Sequence, residues 1–590
     1  MINTIRSFTL SMLVAVLCLA AQQYSFAGSA TWAANPGSGD WNTTTNWMPN
    51  TIPNGPDDIA TFDQSDVTDL SLIGTIELSS VHFDAAAAPF LINANEAAVI
   101  FIGGDGIIND SGIIQTFTQS GTEISNGGIE FSNNANAGEM TSFEIFGGSA
   151  LFEDSTNAGA ASFVITYGVN GLQGLLFFFD DSSAANATIA TNSNATTTFD
   201  DNSTAGNATF ITGLGGDVVF GVQSTAANAV VNSSDGGGTE FTDFATAAQG
   251  IFTAGGATTS TESGSYVNFS DSTTAADATI VINGGTVQDA AGAVMTFFEN
   301  STAGSATLTA NGGVNGGEGG AVLFVGRSQG DNSTISLFGN GELDIGNNRA
   351  TLGVTIGSLA GNGLVFLGPR VLSIGSNNQS TTFSGVIQDG GDNQGTGGSL
   401  TKIGTGTLTL SGANTYTGAT TVSAGTLVVS NMTGSGTGAG TASVNAGTLG
   451  GSGIISGAVG VGTGSGSGAF LAPAVGTNKQ ATLTIQSALT FNTDATYTYT
   501  FKAKKKKART DKVMANGVTI NGASFAFQGI AQGTLKTGLI LTAISNTAAT
   551  PISGTFANLP DGAILTVNGN NFQASYEGGA GNDLTLMVVP

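Results

Sequence analysis

Short apolar segments alternate with polar, glycine-rich turns along nearly the whole chain, on a period in the twenties. The recurring unit is Phe-x-[Asp/Asn]-x-Ser-Thr-Ala-x-Asn-Ala-Thr followed by Ile, Leu or Phe. Its clearest copies are FDDSSAANATI from Phe179, FDDNSTAGNATF from Phe199, FSDSTTAADATI from Phe269 and FENSTAGSATL from Phe298. Looser copies begin at Phe131, Phe152, Phe220, Phe241 and Phe324. Successive starts lie 21, 27, 20, 21, 21, 28, 29 and 26 residues apart. The Ala-Thr-Ile portion alternates as a short strand does. Asn-Gly then turns the chain, as at Asn283-Gly284 and Asn311-Gly312. A second apolar strand runs to the next Phe, and Asp-x-Ser-Thr is the following turn. A repeat of this size is one coil of a β-solenoid, which buries its apolar face only by stacking on its neighbours. The pattern predicts an all-β, right-handed parallel β-helix, the hand following from the rule for parallel crossovers, with antiparallel strands allowed for near the C-terminus. Phe179, Phe199, Phe220 and Phe298 are expected to be buried and stacked at one phase.

After about residue 340 the pattern becomes Gly-Thr-Leu-Thr-Leu-Ser-Gly, with dense glycine and almost no charge. Residues 397–430 read GGSLTKIGTGTLTLSGANTYTGATTVSAGTLVVS. Leu400-Thr401-Lys402, Gly404 to Leu408, Ser411 to Gly418 and Ala424 to Leu427 closely resemble the autotransporter-associated β-strand repeat (PATR). The resemblance implies the passenger part of a surface protein, outside the cytoplasm, with adhesion or matrix contact as its use. Trp32, Trp41 and Trp47 are similar to the opening of many such secreted repeat proteins. No C-terminal membrane β-barrel is recognisable in the 160 residues after Ser430, so the resemblance is to the passenger alone.

Residues 1–27 read as a signal peptide: Arg6, then the apolar run Leu10 to Ala21, then Ser25-Phe26-Ala27 as a cleavage site before Gly28. The single cysteine, Cys18, lies inside it, which leaves no thiol or disulfide chemistry for the mature chain. The expected organisation continues with a Trp-rich cap and first coils at 28–75, the Phe-x-Asp repeats at 76–340, a Gly/Thr-rich β-helix holding the PATR segment at 341–490, and a C-terminal β region or cap at 491–590. No segment of the mature chain reads as a transmembrane helix.

Charge narrows the partners. The net charge is −27, with no Lys or Arg between Arg6 and Arg327, and that stretch holds 31 of the 41 acidic residues. Such a surface repels phosphates, so nucleic acid is excluded as a partner of the main body. Seven of the 14 basic residues fall within 11 positions: Lys502, Lys504, Lys505, Lys506, Lys507, Arg509 and Lys512. The run reads as a loop at 502–512 between strands. It either protects a sheet edge or touches an anionic envelope polymer, a lipid headgroup or a neighbouring acidic solenoid.

Catalytic chemistry is sparse. His82 is the one histidine, without a nucleophile elbow, and reads as a packed or solvent-facing side chain. There is no HExxH and no Gly-Lys pair of a phosphate loop. Asp180-Asp181 and Asp200-Asp201 sit at matching places in adjacent repeats and are the candidate carboxylates of a hydrolase. They are equally candidate ligands of Ca²⁺, with Asp271 a weaker member. Acids that follow a repeat are more simply explained by the repeat than by a site. The three tryptophans read as a cap more readily than as a sugar-stacking platform. Gly578 to Asp583 mimics one calcium-binding nonapeptide but occurs once, and reads as a turn. The expectation is an exported structural or adhesive solenoid without catalysis or cofactor, its partner an envelope polysaccharide or other surface polymer. Rivals are a polysaccharide-active β-helix hydrolase and a calcium-stabilised carbohydrate-binding module. The extracellular space or cell surface is the expected location, with the periplasm as alternative.

Overall fold

Strands of three to six residues with alternate side chains buried recur along the chain, and they stack in parallel. The computed structural model describes residues 28–95, 98–120, 128–168, 171–475, 480–504 and 506–590; the expected signal peptide lies outside them. The architecture is a parallel β-solenoid. The only helical turn among the described residues is the 3-10 turn Thr44–Asn46. The chain divides into two units, residues 1–163 with 168–172, and residues 164–167 with 173–590.

In the first unit one parallel ladder passes from Ala30–Trp32 through Ile59–Phe62, Thr75–Phe83, Val99–Asn109 and Gly128–Phe131 to Ser149–Phe152. A second runs from Asp69–Ser71 through Leu91–Asn95 and Gln115–Ser120 to Thr141–Phe146. Trp32, Trp41 and Trp47 are all buried. Trp47 sits edge-on to Trp32 and Trp41 at 5.0 and 4.8 Å, and all three rings meet Phe62. Their indoles are core, so they offer no face to a sugar.

The second unit carries the regular coils. Leu175–Phe178, Thr196–Phe199, Asp217–Phe220 and Gly238–Phe241 pair in exact register, Phe against Phe, and the ladder continues through Tyr266–Phe269 and Val294–Phe297 to Ala321–Phe324. The rings of Phe178, Phe199, Phe220, Phe241, Phe269, Phe297 and Phe324 stack face to face, with neighbouring centroids 4.6–4.9 Å apart. Phe199 and Phe220 are therefore at the expected phase, and Phe179 and Phe298 are not. Each follows another Phe, and the strand's two-residue alternation buries Phe178 and Phe297 and leaves Phe179 and Phe298 half-buried.

A second ladder starts at Thr188–Asn192 and Thr209–Gly213. On the third side of these coils there are only single-residue bridges, Ser183 to Thr204 to Thr225 to Thr246 to Thr274 to Thr302 to Gln329. From Val354–Ile356 onward the third side becomes a ladder of its own, which includes Ser399–Lys402 and Thr420–Val422. Near the C-terminus, Ile540–Asn546 pairs in parallel with Lys512–Ala515, and then antiparallel strands Asp583–Val589, Asn570–Gly578 and Ile564–Val567 complete that sheet. Gly578 to Asp583 is the turn between two of them.

Candidate functional site

The turn that carries the acids is set by the backbone. The residue two places after each ladder Phe of the second unit has positive φ: Asp180 (52°), Asp201 (54°), Val222 (52°), Asp243 (59°), Asp271 (56°), Glu299 (46°) and Gly326 (69°). Asp, Asn and Gly tolerate this left-handed conformation better than other residues do. The acids of the repeat thus stand where the turn selects their residue type. Five places after the Phe, Ser183, Thr204, Thr225, Thr246 and Thr274 accept the N–H of the residue two further on at 3.0–3.1 Å. That residue is again left-handed, as at Ala185, Gly206, Ala227, Ala248 and Ala276. The next position makes an amide ladder, Asn228 to Asn207 to Asn186, at 3.1 and 3.2 Å.

The expected pairing of Asp180-Asp181 with Asp200-Asp201 shifts by one. With Phe178 opposite Phe199, Asp180 stands level with Asp201, Asp181 with Asn202, and Asp200 with Phe179. Consistently, the Asn202 N–H donates to the Asp180 carbonyl at 3.0 Å. Among the described residues no group of three or more His, Cys, Asp or Glu is placed to hold a metal ion. His82 is partly exposed, with Nε2 3.3 Å from an Asp110 carboxylate oxygen.

Three other groupings were silent in the sequence. Asp217 Oδ1 accepts the Tyr266 hydroxyl at 2.8 Å, with Glu240 on the intervening strand; burial raises the carboxyls of Asp217 and Glu240. Burial, then the charges of Asp344, Asp392 and Glu318, pushes Glu342 up to about 7. In the first unit, burial and then Glu153 push Glu130 up to about 7. A shallow polar depression of about 470 Å³ is bounded by Gln329, Asp331, Asn332, Thr355 and Ser376. Gln329 already donates to the Gly353 carbonyl and accepts from the Thr355 N–H, so that side chain is committed to the fold.

The PATR segment is a set of ties between coils. Asn414 is buried; its Oδ1 accepts the Ile387 N–H at 2.9 Å and its Nδ2 donates to the Gly436 carbonyl at 2.7 Å. Asp389 accepts the N–H of Gly398 at 2.9 Å and the hydroxyl of Thr417 at 2.6 Å. Tyr416 is fully buried, its hydroxyl 2.6 Å from that of Thr420. Lys402 occupies a buried strand position, 1% exposed, and its ammonium meets the carbonyls of Ile403, Gly404 (3.0 Å) and Ala424 (3.4 Å). Among the described residues no carboxylate forms an ion pair with it, and burial lowers its pKa to about 8.

The basic run is a β-hairpin, a correction to the expected loop. Ala495–Lys504 returns as Lys507–Thr510 in antiparallel register, with Lys502 opposite Arg509 and Lys504 opposite Lys507. Lys505 lies outside the described residues, and Lys506 is exposed at the tip. Lys512 begins a strand of a different ladder, opposite Thr482. The hydrophobic alternation of Tyr497, Tyr499 and Phe501 continues into Ala503, all buried, and this carries the strand through the lysines. The other edge of the first strand pairs in parallel with Ser524–Gln532, Lys502 beside Ile530 and Lys504 beside Gln532. Lys502, Lys504, Lys507 and Arg509 are all exposed.

Residues 400–429 match the Passenger-associated-transport-repeat (PATR) family model. No curated protein matches the chain in sequence. Among solved structures, the Haemophilus influenzae Hap adhesin is similar at 12% identity with a TM-score of 0.25, over 90% of this chain and 63% of that one. This chain thus spans less than two thirds of that protein.

Proposed function

We propose that the chain is an exported structural or adhesive β-solenoid that presents its coils outside the cytoplasm and performs no catalysis. The observation that carries this reading is the PATR repeat at 400–429, whose side chains tie successive coils of the second unit together. The regular turns support the same reading, because their acids follow the left-handed backbone rather than converging on a substrate. The partner is an envelope polysaccharide or another surface polymer, met on the outer faces of the stack. Cell fractionation, with and without protease added to intact cells, tests it. The chain is expected in the surface or extracellular fraction and accessible to protease. Retention in the cytoplasm would overturn the reading.

A further inference from the structure

The exposed face of the basic hairpin holds four cations in a two-by-two grid. Lys502 and Arg509 form one cross-strand row and Lys504 and Lys507 the next. Neighbouring strands lie about 4.8 Å apart, and residues two apart on one strand are about 7 Å apart. Like charges directly opposite one another oppose the pairing that holds them. Among the described residues no ion pair reaches any of the four. Asp511, next to the hairpin, is buried and taken up by the N–H of Ala481 and the N–H and hydroxyl of Thr500. Protection of a free edge accounts for Lys507 and Arg509 on the outer strand. It does not account for Lys502 and Lys504, whose strand is paired on both sides.

We propose that this grid is a docking face for an acidic polysaccharide, a sugar chain bearing carboxylates at regular intervals. The inference deepens the surface-polymer reading above and rests on it. Two features select this occupant. The same side of the first strand continues from the cations through Thr500, Thr498 and Thr496, beside Gln528, Ala526 and Ser524 on its neighbour; the Thr500 hydroxyl is taken by Asp511, and the remaining hydroxyl and amide groups suit the hydroxyls of a sugar chain. The face lacks the broad apolar surface that lodging in a lipid interface needs, since Ile530 is the one large apolar group in the cation rows.

The test is binding of the full chain to sodium polygalacturonate, with neutral dextran and phosphatidylglycerol vesicles as comparison arms. Binding to polygalacturonate at low salt is expected, falling about tenfold or more at high salt. Lys502→Ser/Lys504→Ser should weaken it about tenfold, as much as Lys507→Ser/Arg509→Ser does. In the wild-type chain, which needs no variant to fold, bound polygalacturonate should shield Lys502, Lys504 and Lys507 from amine acylation more than exposed Lys536. No binding at low salt, binding to vesicles alone, or binding indifferent to Lys502 and Lys504 would overturn the proposal. Surface exposure of a variant with all four residues changed to Ser separates the two readings. If it is displayed but no longer binds, both stand. If the wild type is displayed and does not bind, the docking face alone falls.

Discussion

The ring of Phe178 lies 4.6 Å from that of Phe199, with 2° between their planes. That contact fixes the phase of the coils in the second unit. Both rings are fully buried, and Phe199 is stacked between Phe178 and Phe220. Phe199→Ala is expected to cost about 3–5 kcal/mol in chemical denaturation, because neighbours fixed in a ladder cannot collapse into the gap. Phe179, half-buried with its ring 5.6 Å from Phe177, is expected to cost about 1 kcal/mol when replaced by Ala. Equal losses at the two positions would refute the assigned phase.

The left-handed turn column makes a second prediction. Val222 holds φ 52°, a conformation costly for a β-branched residue. Val222→Asn should stabilise the protein by about 1 kcal/mol. Asp201→Asn, at φ 54°, should be neutral to within about 0.5 kcal/mol, and the melting temperature of both proteins should be the same with calcium or with chelator. A calcium-dependent melting temperature lost on Asp201→Asn would mean that the acid column serves a metal after all.

What the sequence made legible was periodic, and what it hid was one-residue choice. The coil length, the strand near Ala-Thr-Ile and the turn at Asp-x-Ser-Thr all follow from spacing. The Phe-Phe doublets at 178–179 and 297–298 do not reveal which ring goes inside, because either residue completes an apolar run. Placing Phe179 inside also shifts the acids by one, setting Asp200 against Asp180 when its level neighbour is Phe179. The hairpin was hidden for a related reason: seven cations in 11 positions look like a solvated loop, although Phe501 and Ala503 continue the buried alternation between them. Lys402 stood inside the recognised motif, yet nothing in spacing alone marks a lysine as an inward-facing side chain.

Buried carboxylates set the acid side of the pH profile. Glu342 and Glu130 are each raised from 4.5 to about 7, burial being the larger cause in both. Between those values the folded protein holds protons that the unfolded chain has released. Their contribution is therefore fully present below about 4.5 and is lost as pH rises through about 7. The melting temperature at fixed ionic strength should be higher at pH 5 than at pH 8. Glu342→Gln should narrow that difference, and an unchanged difference in this variant would remove Glu342 from the account.

Lys402 acts on the alkaline side with the opposite sign. Burial lowers its pKa from 10.5 to about 8, so between these values the unfolded chain binds a proton that the folded chain does not. Stability should rise as pH climbs from about 8 toward 10.5, and the full deficit applies below about 8. The three carbonyls around Nζ favour the ammonium, but they do not replace the water it loses, and among the described residues no carboxylate pairs with it. The measurement belongs between pH 8 and about 9.5. Above that range the buried hydroxyls of Tyr416, Tyr497 and Tyr499, all raised chiefly by burial, ionise first in the unfolded chain and pull stability down. Lys402→Met keeps the volume and the apolar stem but removes the titrating group. It should flatten the rise above pH 8 and leave the fall between pH 5 and 7 untouched. If the wild-type melting temperature does not rise between pH 8 and 9.5, or if the Met variant rises as steeply, Lys402 is not held in the desolvated setting that ties its coil to the next.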